Sequence, residues 1–197
     1  MRIIGGCAAG LKLQSPRGRA VRPTSDRVKE SLFAVLGDIT DCRAADLFAG
    51  SGALGLEALS RGAQSVVFVE KNPRHVRLIS ENARRLEPCL PADVRPDISV
   101  IQADVKTVPK RLAGMAGDLD LVLADPPYNP AGRSWGAATL LSDPAFHQWV
   151  GSALLVIEHA VEMKILTDTP GALWDTVAAK KYGSTAVTFC RAHSVRT

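Results

Sequence analysis

The sequence lacks the features that would place the chain in a membrane or an oxidising compartment. No apolar run approaches the roughly 20 residues that a membrane span needs. Residues 1–7 show no long apolar stretch ahead of a cleavage site, so we expect no secretory signal. The four cysteines are scattered and form no Cys-x-x-Cys pair, which argues against a zinc site and is typical of reduced thiols. We therefore expect a cytoplasmic protein with no membrane attachment.

Internal repeats, low-complexity segments and metal-binding spacings are also missing. The four histidines are far apart in sequence, so we expect no metal centre. The 197 residues, 46% hydrophobic and 22% charged, suffice for one globular domain with a small appendage. We expect this protein to be a monomer.

Positive charge is concentrated at the start of the chain. The whole sequence carries a formal net charge of +4, whereas residues 1–31 alone carry +5 from seven basic and two acidic residues. A basic arm on a near-neutral body is typical of a phosphate-binding appendage, although a solubilising tail would have the same charge. The basic residues are Arg2, Lys12, Arg17, Arg19, Arg22, Arg27 and Lys29.

Hydrophobic periodicity predicts a short N-terminal segment followed by alternating strands and helices. Residues 1–24 predict a small hairpin or extended arm, and residues 26–36 predict a helix that Gly37 ends. The strands predicted next are 44–48, 65–70, 98–103, 119–124 and 153–158. The helices predicted between them are 53–61, 73–86, 105–115 and 137–150.

This order predicts a Rossmann-like α/β fold. Alternating strands and helices form a doubly wound, mostly parallel sheet. Two further strands, 177–181 and 185–190, predict an antiparallel pair at the C-terminus and bring the sheet to seven strands. Such a pair is typical of methyltransferases more than of dinucleotide dehydrogenases. We expect residues 1–37 to form a basic arm and helix, and residues 38–197 to form the catalytic domain.

A glycine-rich turn follows the first predicted strand. Gly50, Gly52 and Gly55 match G-x-G-x-x-G, which serves dinucleotides as well as S-adenosylmethionine and also occurs in tight turns without a ligand. Asp46 precedes the glycines at the strand end. A carboxylate there would repel a pyrophosphate but attract the cationic amino-acid end of S-adenosylmethionine, which favours the latter as cofactor.

Acidic residues recur at the ends of the next two predicted strands. Glu70 lies 18 residues after Gly52, where a carboxylate can accept from both ribose hydroxyls. Asp104 follows the third strand and is suited to accept from an adenine amino group. One acid at a strand end is usually a helix cap, but three in succession favour a ligand.

The tetrapeptide Asp125-Pro126-Pro127-Tyr128 follows the fourth predicted strand. Strands one and four are neighbours in a doubly wound sheet, so we expect this segment to face the glycine turn across the ligand crevice. The Asp125 carboxylate and a proline carbonyl can accept from both N–H bonds of a base amino group, which orients the nitrogen for in-line attack on a methyl group. The prolines stiffen the loop, and Tyr128 offers a stacking face for a displaced base. The four residues can also occur together by chance in a turn.

With these residues identified, the chain resembles the bacterial RsmD-like family, which methylates the guanine N2 amino group in 16S ribosomal RNA. The block at residues 22–33 is the most specific, because general methyltransferases lack it. The matching blocks are 2–6 (RIIGG), 22–33 (RPTSDRVKESLF), 46–62, 67–70 (VFVE), 125–128 (DPPY), 156–159 (VIEH) and 181–185 (KYGST). Residues 10–12 are less basic than is usual in the family, and the Pro-rich link 87–97 is idiosyncratic.

The resemblance implies a methyltransferase that acts on 16S rRNA within the 30S subunit or an assembly intermediate. It implies that residues 125–128 hold the guanine and that the basic residues of the arm and first helix contact RNA. The cofactor contacts that it implies are Asp46, Phe48, Ala49, Gly50, Ser51, Gly52, Glu70, Lys71, Asp104, Arg22 and Thr24.

Four other functions explain part of the pattern. A DNA adenine-N6 methyltransferase shares the tetrapeptide, but it usually carries a separate target-recognition segment. A protein-glutamine methyltransferase typically has Asn in place of Asp125. An NAD-dependent oxidoreductase would explain the glycines and Glu70 but not the proline loop, and a non-catalytic RNA-binding protein would explain the basic arm alone.

Overall fold

The computed structural model describes residues 1–15, 26–128, 135–163 and 172–193. The helices are α1 (Asp26–Leu36), α2 (Ala53–Ser60), α3 (Pro73–Leu86), α4 (Val108–Arg111), α5 (Ala137–Ser142) and α6 (Pro144–Val150). The strands are β1 (Arg43–Leu47), β2 (Ser65–Glu70), β3 (Asp97–Gln102), β4 (Leu121–Ala124), β5 (Leu154–Ala160), β6 (Trp174–Tyr182) and β7 (Thr185–Ala192). In the described ranges, no helix is long and apolar enough to cross a membrane.

Two predicted helices are each interrupted at a proline. The predicted helix 137–150 divides into α5 and α6 because Asp143, which precedes Pro144, is extended (φ −85°, ψ 116°), as pre-proline residues tend to be. Its carboxylate instead caps α6 by accepting from the Phe146 N–H at 2.6 Å. The predicted helix 105–115 becomes α4 between two 3₁₀ turns, since a continuous helix would press the Pro109 ring against the Val105 carbonyl.

The first compact unit, Met1–Ala103, contains three parallel strands in the order β3-β2-β1. The register pairs Asp46 with Phe68 and Glu70 with Gln102, so these strands end at one edge. All eight residues of α2 are buried, because its sequence is apolar or small except for Glu57. The core of this unit therefore lies directly beneath the turn that joins β1 to α2.

The N-terminal residues fold back as a hairpin on the same unit. Arg2 and Lys12 form an antiparallel bridge, and the Ile3 N–H donates to the Leu11 carbonyl at 3.0 Å. Ile3 and Leu13 are buried in the core. The hairpin expected for residues 1–24 is thus present over residues 1–15, and residues 16–25 lie outside the described ranges.

The second compact unit, Asp104–Thr197, contains the other four strands in the order β4-β5-β7-β6. β4 and β5 are parallel, whereas β7 is antiparallel to both β5 and β6. Buried aromatic rings fill its core, and the Trp174 Nε1–H donates to the Leu141 carbonyl at 2.7 Å.

The fold class expected from the sequence is confirmed. It is α/β with a mixed, mostly parallel sheet of seven strands and antiparallel strands at the C-terminal end. The boundary between the two compact units lies between residues 103 and 104, so α1 belongs to the first unit. The division into residues 1–37 and 38–197 stays a prediction about function.

Candidate functional site

The turn between β1 and α2 uses its three glycines for different physical reasons. Gly50 (φ 56°) and Gly52 (φ 80°) adopt the left-handed conformation that favours glycine. A Cβ on Gly55 would lie 2.4 Å from the Phe68 ring, so this glycine permits close helix–strand packing. A Cβ on Gly50 would meet only the Phe48 carbonyl within 4 Å, at 3.8 Å. The backbone at Gly50 is therefore open to the close approach of a ligand.

The residues around these glycines hold the turn in a strained shape. Phe48 has φ 58°, which is uncommon for a bulky side chain and is found most often at functional sites. The Gly52 N–H donates to the Ala49 carbonyl at 2.6 Å, and Ser51 is buried. These positions were all predicted to contact the cofactor, and their direct contacts stay predictions.

Asp46, at the end of β1, stabilises the glycine turn through a hydrogen bond. It is 2% exposed, and its Oδ2 accepts from the Gly55 N–H at 2.9 Å. Because Gly55 is in the first turn of α2, the Asp46 carboxylate lies at the positive end of the helix dipole and interacts favourably with it. Asp46 thus shapes the turn, whether or not it also meets the cofactor as the sequence predicts.

Glu70, at the end of β2, holds the glycine turn from the side. Its Oε2 accepts from the Gly50 N–H at 2.9 Å, and its Oε1 accepts from the Asn72 N–H at 2.8 Å. Residue 70 is 7% exposed, and the His75 Nδ1 lies 3.7 Å from Oε1. Each carboxylate oxygen has two acceptor positions, so these bonds leave capacity for a ligand hydroxyl.

Asp104 serves as a helix cap in the structure. Its Oδ1 accepts from the Lys106 N–H at 3.2 Å, and Oδ2 lies 3.8 Å from the Lys106 Nζ. This is the alternative that the sequence left open for a single strand-end acid. The adenine contact stays a prediction, as does a cofactor contact by Lys71, whose side chain is exposed.

Asn82 on α3 connects the glycine turn to the N-terminal hairpin. Its Nδ2 donates to the Ser51 carbonyl at 2.9 Å and to the Gln14 carbonyl at 3.0 Å, and its Oδ1 accepts from the Gln14 N–H at 2.8 Å. The residue is fully buried. Sequence reasoning missed it, although an Asn on the same helical face as Ile79 and Leu86 signals an amide with buried partners.

A second buried cluster fixes the hairpin and α1 against α2. The Glu57 carboxylate accepts from the Ile4 and Gly5 N–H groups at 2.8 Å each and pairs with Lys29 at 3.5 Å and Arg61 at 2.9 Å. Lys29 also donates to the Arg2 carbonyl. Burial lowers the pKa of Lys29, and the Glu57 carboxylate opposes that shift.

The predicted RNA contacts therefore divide into three groups. Lys29 is 0% exposed, so the prediction that it contacts nucleic acid is wrong: it is a paired charge of the core. Arg2, Lys12 and Arg27 are exposed, and the Arg2 Nε lies 3.1 Å from an Asp26 oxygen. The remaining predicted RNA contacts, which are Arg17, Arg19 and Arg22, lie outside the described residues. Thr24, which was predicted together with Arg22 to contact the cofactor, also lies outside them.

The tetrapeptide after β4 presents its tyrosine in a fixed position. The Tyr128 hydroxyl donates to Glu158 Oε1 at 2.7 Å and lies 2.6 Å from Thr185 Oγ1, while 37% of the residue is exposed. Partial burial and the negative charge of Glu158 raise the pKa of Tyr128, so the hydroxyl stays protonated at physiological pH. Pro126 is buried, and Asp125 is partly exposed.

Strand register brings a second carboxylate to this end of the sheet. Ala124 pairs with Ile157 across the parallel strands β4 and β5, so Asp125 and Glu158 follow at equivalent positions. Sequence reasoning placed Glu158 at the end of the predicted strand 153–158 and in a block of family resemblance, but gave it no role. A carboxylate at the end of an apolar strand was the available signal, but nothing local indicated its bond to Tyr128.

The neighbouring His159 has a structural role. It is 5% exposed, its Nε2 lies 2.9 Å from Thr188 Oγ1, and its Nδ1 lies 2.9 Å from the Ala160 carbonyl. Burial lowers the pKa of this imidazole. Over the described ranges, no three or more His, Cys, Asp or Glu side chains form a group able to hold a metal ion.

One class of Rossmann-like protein differs from the dehydrogenases in two features that this chain has. Its mostly parallel sheet ends in antiparallel strands, and acidic residues lie at the strand ends near the glycine turn. That class is the S-adenosylmethionine-dependent methyltransferases, and this fold belongs to it. The family model described as conserved hypothetical protein 95 matches residues 1–191, and the chain belongs to that family. The resemblance to the RsmD-like family is thereby confirmed.

Individual relatives agree with this assignment. The chain is 35% identical over 188 residues to ribosomal RNA small subunit methyltransferase D of Escherichia coli (strain K12), covering 94% of this chain and 87% of that protein. It is 33% identical over 190 residues to a Bacillus subtilis (strain 168) protein provisionally named an rRNA methyltransferase, covering 95% and 96%. A solved Escherichia coli protein, provisionally described as a methyltransferase, superposes with a TM-score of 0.73 at 29% identity over 98% of each chain.

Proposed function

We propose that the protein transfers a methyl group from S-adenosylmethionine to the N2 amino group of a guanine in small-subunit ribosomal RNA. The observation that carries this proposal is the Asp125-Pro126-Pro127-Tyr128 segment, with a carboxylate and a fixed aromatic ring at the end of β4. The segment is in a chain whose Escherichia coli relative is named as a small-subunit rRNA methyltransferase.

Carboxylates of the first unit support this choice of cofactor. Asp46 and Glu70 are buried carboxylates at neighbouring strand ends, a charge that suits a cationic amino acid and ribose hydroxyls and disfavours a pyrophosphate. The open backbone at Gly50 allows a ligand to approach closely. We propose that these groups hold the cofactor, with Asp104 accepting from the adenine. When bound, it supplies an electrophilic methyl group on a sulfonium centre.

The second unit has groups suited to orienting the acceptor nitrogen. A guanine amino group is a weak nucleophile because its lone pair is conjugated with the ring. The Asp125 carboxylate and a carbonyl of the proline segment would accept from its two N–H bonds, which aligns the lone pair for attack. The Tyr128 ring would stack on the base. Asp125 need not act as a strong base, because the nitrogen can lose its proton after methyl transfer.

The basic arm fits an RNA substrate. Arg2, Lys12 and Arg27 are exposed, and the +5 charge of residues 1–31 favours phosphate binding. We propose that the substrate is 16S rRNA within the 30S subunit or an assembly intermediate, that the enzyme works as a cytoplasmic monomer, and that it needs no metal.

Variants at Asp125 test the chemistry. Asp125→Ala should reduce the single-turnover rate on 30S subunits by at least about 10²-fold, the scale for losing one preorganised contact. Asp125→Asn keeps one acceptor oxygen and should retain more activity than the alanine variant. Both should bind S-adenosylmethionine normally, because the proposed cofactor groups lie elsewhere in the chain.

The same assay separates the competing functions. Tritium transfer from labelled S-adenosylmethionine should appear in 16S rRNA, and mapping should place it on a guanine N2. Transfer to DNA adenine or to protein glutamine would replace the proposed substrate, and binding of NAD in preference to S-adenosylmethionine would replace the reaction. A near-normal rate for Asp125→Ala would refute the proposed mechanism.

A further inference from the structure

The exposed face of α3 carries a strong positive charge. Along a helix with 3.6 residues per turn, one face presents four arginines and a single acid, and all five residues are exposed. They are Arg74, Arg77, Arg84, Arg85 and Glu81. We call the four arginines the α3 basic face.

The basic face lies opposite the buried side of the helix. Ile79, Ala83 and Leu86 are buried on the other side, so the arginines do not contribute to the core. In the described part of the chain, none of the four forms an ion pair with an acidic residue. Their charge is therefore available to a partner.

Helix stability accounts for Arg84 and Arg85, which lie in the last turn where cations are stabilising, but not for Arg74 and Arg77. The positive end of the helix dipole is at the N-terminus, where acidic residues are stabilising and cations are not. The first turn of α3 contains no acid and begins Pro73-Arg74. Arg74 and Arg77 also lie three residues apart, where like charges repel. An external anion would offset both costs.

Asn82 joins this helix to the basic arm. The amide of Asn82 makes three hydrogen bonds to Ser51 and Gln14, so the described hairpin ends against α3. In sequence, Arg17 and Arg19 follow Gln14 by three and five residues, so further positive charge comes directly after this hairpin along the chain.

We infer that the α3 basic face is a second RNA-binding surface, which binds the phosphate backbone of the rRNA next to the arm. From Arg74 to Arg85 the helix rises about 16 Å, enough to meet several phosphates along a strand. Guanidinium groups suit phosphate because they form paired hydrogen bonds with it. This inference depends on the proposed function, since it presumes an RNA substrate.

Paired neutralisations test it. Arg74→Gln/Arg77→Gln and Arg84→Gln/Arg85→Gln should each weaken binding to naked 16S rRNA by about tenfold and lower the slope of log affinity against log salt by roughly 0.7–0.9 per lost contact. The KM for rRNA should rise while the single-turnover rate at saturating rRNA stays unchanged. The affinity for S-adenosylmethionine should be unchanged. The thermal midpoint should shift only slightly, upward for Arg74→Gln/Arg77→Gln and downward for Arg84→Gln/Arg85→Gln, because of the helix dipole.

Lys110→Gln/Arg111→Gln is the matched control, because it removes two exposed positive charges from α4. It should leave the salt slope as it is. Equal slopes for the α3 variants and the wild type would overturn the inference, and the face would be an ordinary solvated surface. Weaker binding to 30S subunits with unchanged binding to naked rRNA would also overturn it, in favour of a ribosomal protein contact. Failure of the wild type to methylate rRNA would instead count against the proposed function.

Discussion

Glu70 has two roles, one in the stability of the glycine turn and one proposed in cofactor binding, and each can be measured. It accepts from the Gly50 and Asn72 N–H groups, and it is the proposed partner of the ribose. Glu70→Ala should weaken S-adenosylmethionine binding by about 1.5–3 kcal/mol, the value of hydrogen bonds to a charged group. It should also lower the thermal midpoint of the unliganded protein, because two backbone donors lose their acceptor.

Glu70→Gln separates these effects. The amide keeps one acceptor oxygen but loses the charge, so stability should fall less than with alanine, whereas cofactor affinity should still fall. Calorimetric titration and thermal denaturation measure the two quantities. Unchanged affinity in both variants would remove Glu70 from the cofactor site and leave it as a support of the turn.

The hydroxyl of Tyr128 forms hydrogen bonds that the sequence did not indicate. Reasoning from the tetrapeptide alone, a phenylalanine would keep the stacking face and cost little. In the structure the hydroxyl is bonded to Glu158 and Thr185, so the ring is held by both strands that follow β4 in the sheet. Tyr128→Phe should therefore lower the single-turnover rate by about tenfold, which corresponds to about 1.4 kcal/mol and is close to the lower end of the value of a hydrogen bond to a charged group. Tyr128→Ala should be more severe.

A double-mutant cycle tests whether Glu158 is the residue through which the Tyr128 hydroxyl acts. Glu158→Gln removes the charge at the other end of the same bond. If the two residues act through that bond, Tyr128→Phe/Glu158→Gln should be no slower than the slower single variant. Additive losses would show that Glu158 contributes through some other contact, and a normal rate for Tyr128→Phe would show that stacking alone is sufficient.

At the scale of elements, the bounds of most helices and strands could be predicted from periodicity and end signals. The bounds of α1, β2 and α3 agree with prediction at both ends, because each has a clear apolar pattern bounded by a cap, a turn or a glycine. The predicted helices at 105–115 and 137–150 contain prolines inside a periodic run. Periodicity continues through such a residue, whereas the backbone does not.

The parts of the candidate site that could be predicted are those whose residues are adjacent in sequence. The glycine turn and the proline tetrapeptide are contiguous, so their chemistry is visible in the residue order. The bonds from Asn82 to Gln14 and from Lys29 to Glu57 span 68 and 28 residues. Sequence alone indicates that Lys29 is basic. It cannot show that the side chain is buried and paired with a carboxylate on another helix.

At the scale of the whole molecule, the N-terminal hairpin is part of the folded core. From charge alone, residues 1–20 would be an appendage whose loss leaves the fold intact. The structure corrects this for the described hairpin, since Ile3 and Leu13 are buried and Glu57 accepts from the Ile4 and Gly5 N–H groups. The charge of the arm and the fold of the hairpin are therefore separate properties that one deletion cannot distinguish.

Two variants separate them. Deletion of residues 2–15 should greatly lower the thermal midpoint, because burial of Ile3 and Leu13 contributes about 1.5–3 kcal/mol each and Glu57 would keep its buried charge without two of its donors. These losses are a large part of the roughly 5–15 kcal/mol that stabilises a domain. Arg17→Gln/Arg19→Gln leaves every described contact in place, so it should melt like the wild type but bind 16S rRNA with a salt slope lower by roughly 0.7–0.9 for each lost phosphate contact. A deletion variant with a normal midpoint would contradict the core role of the hairpin. A normal salt slope for the arginine variant would make the positive charge of the arm a solubilising feature rather than an RNA contact.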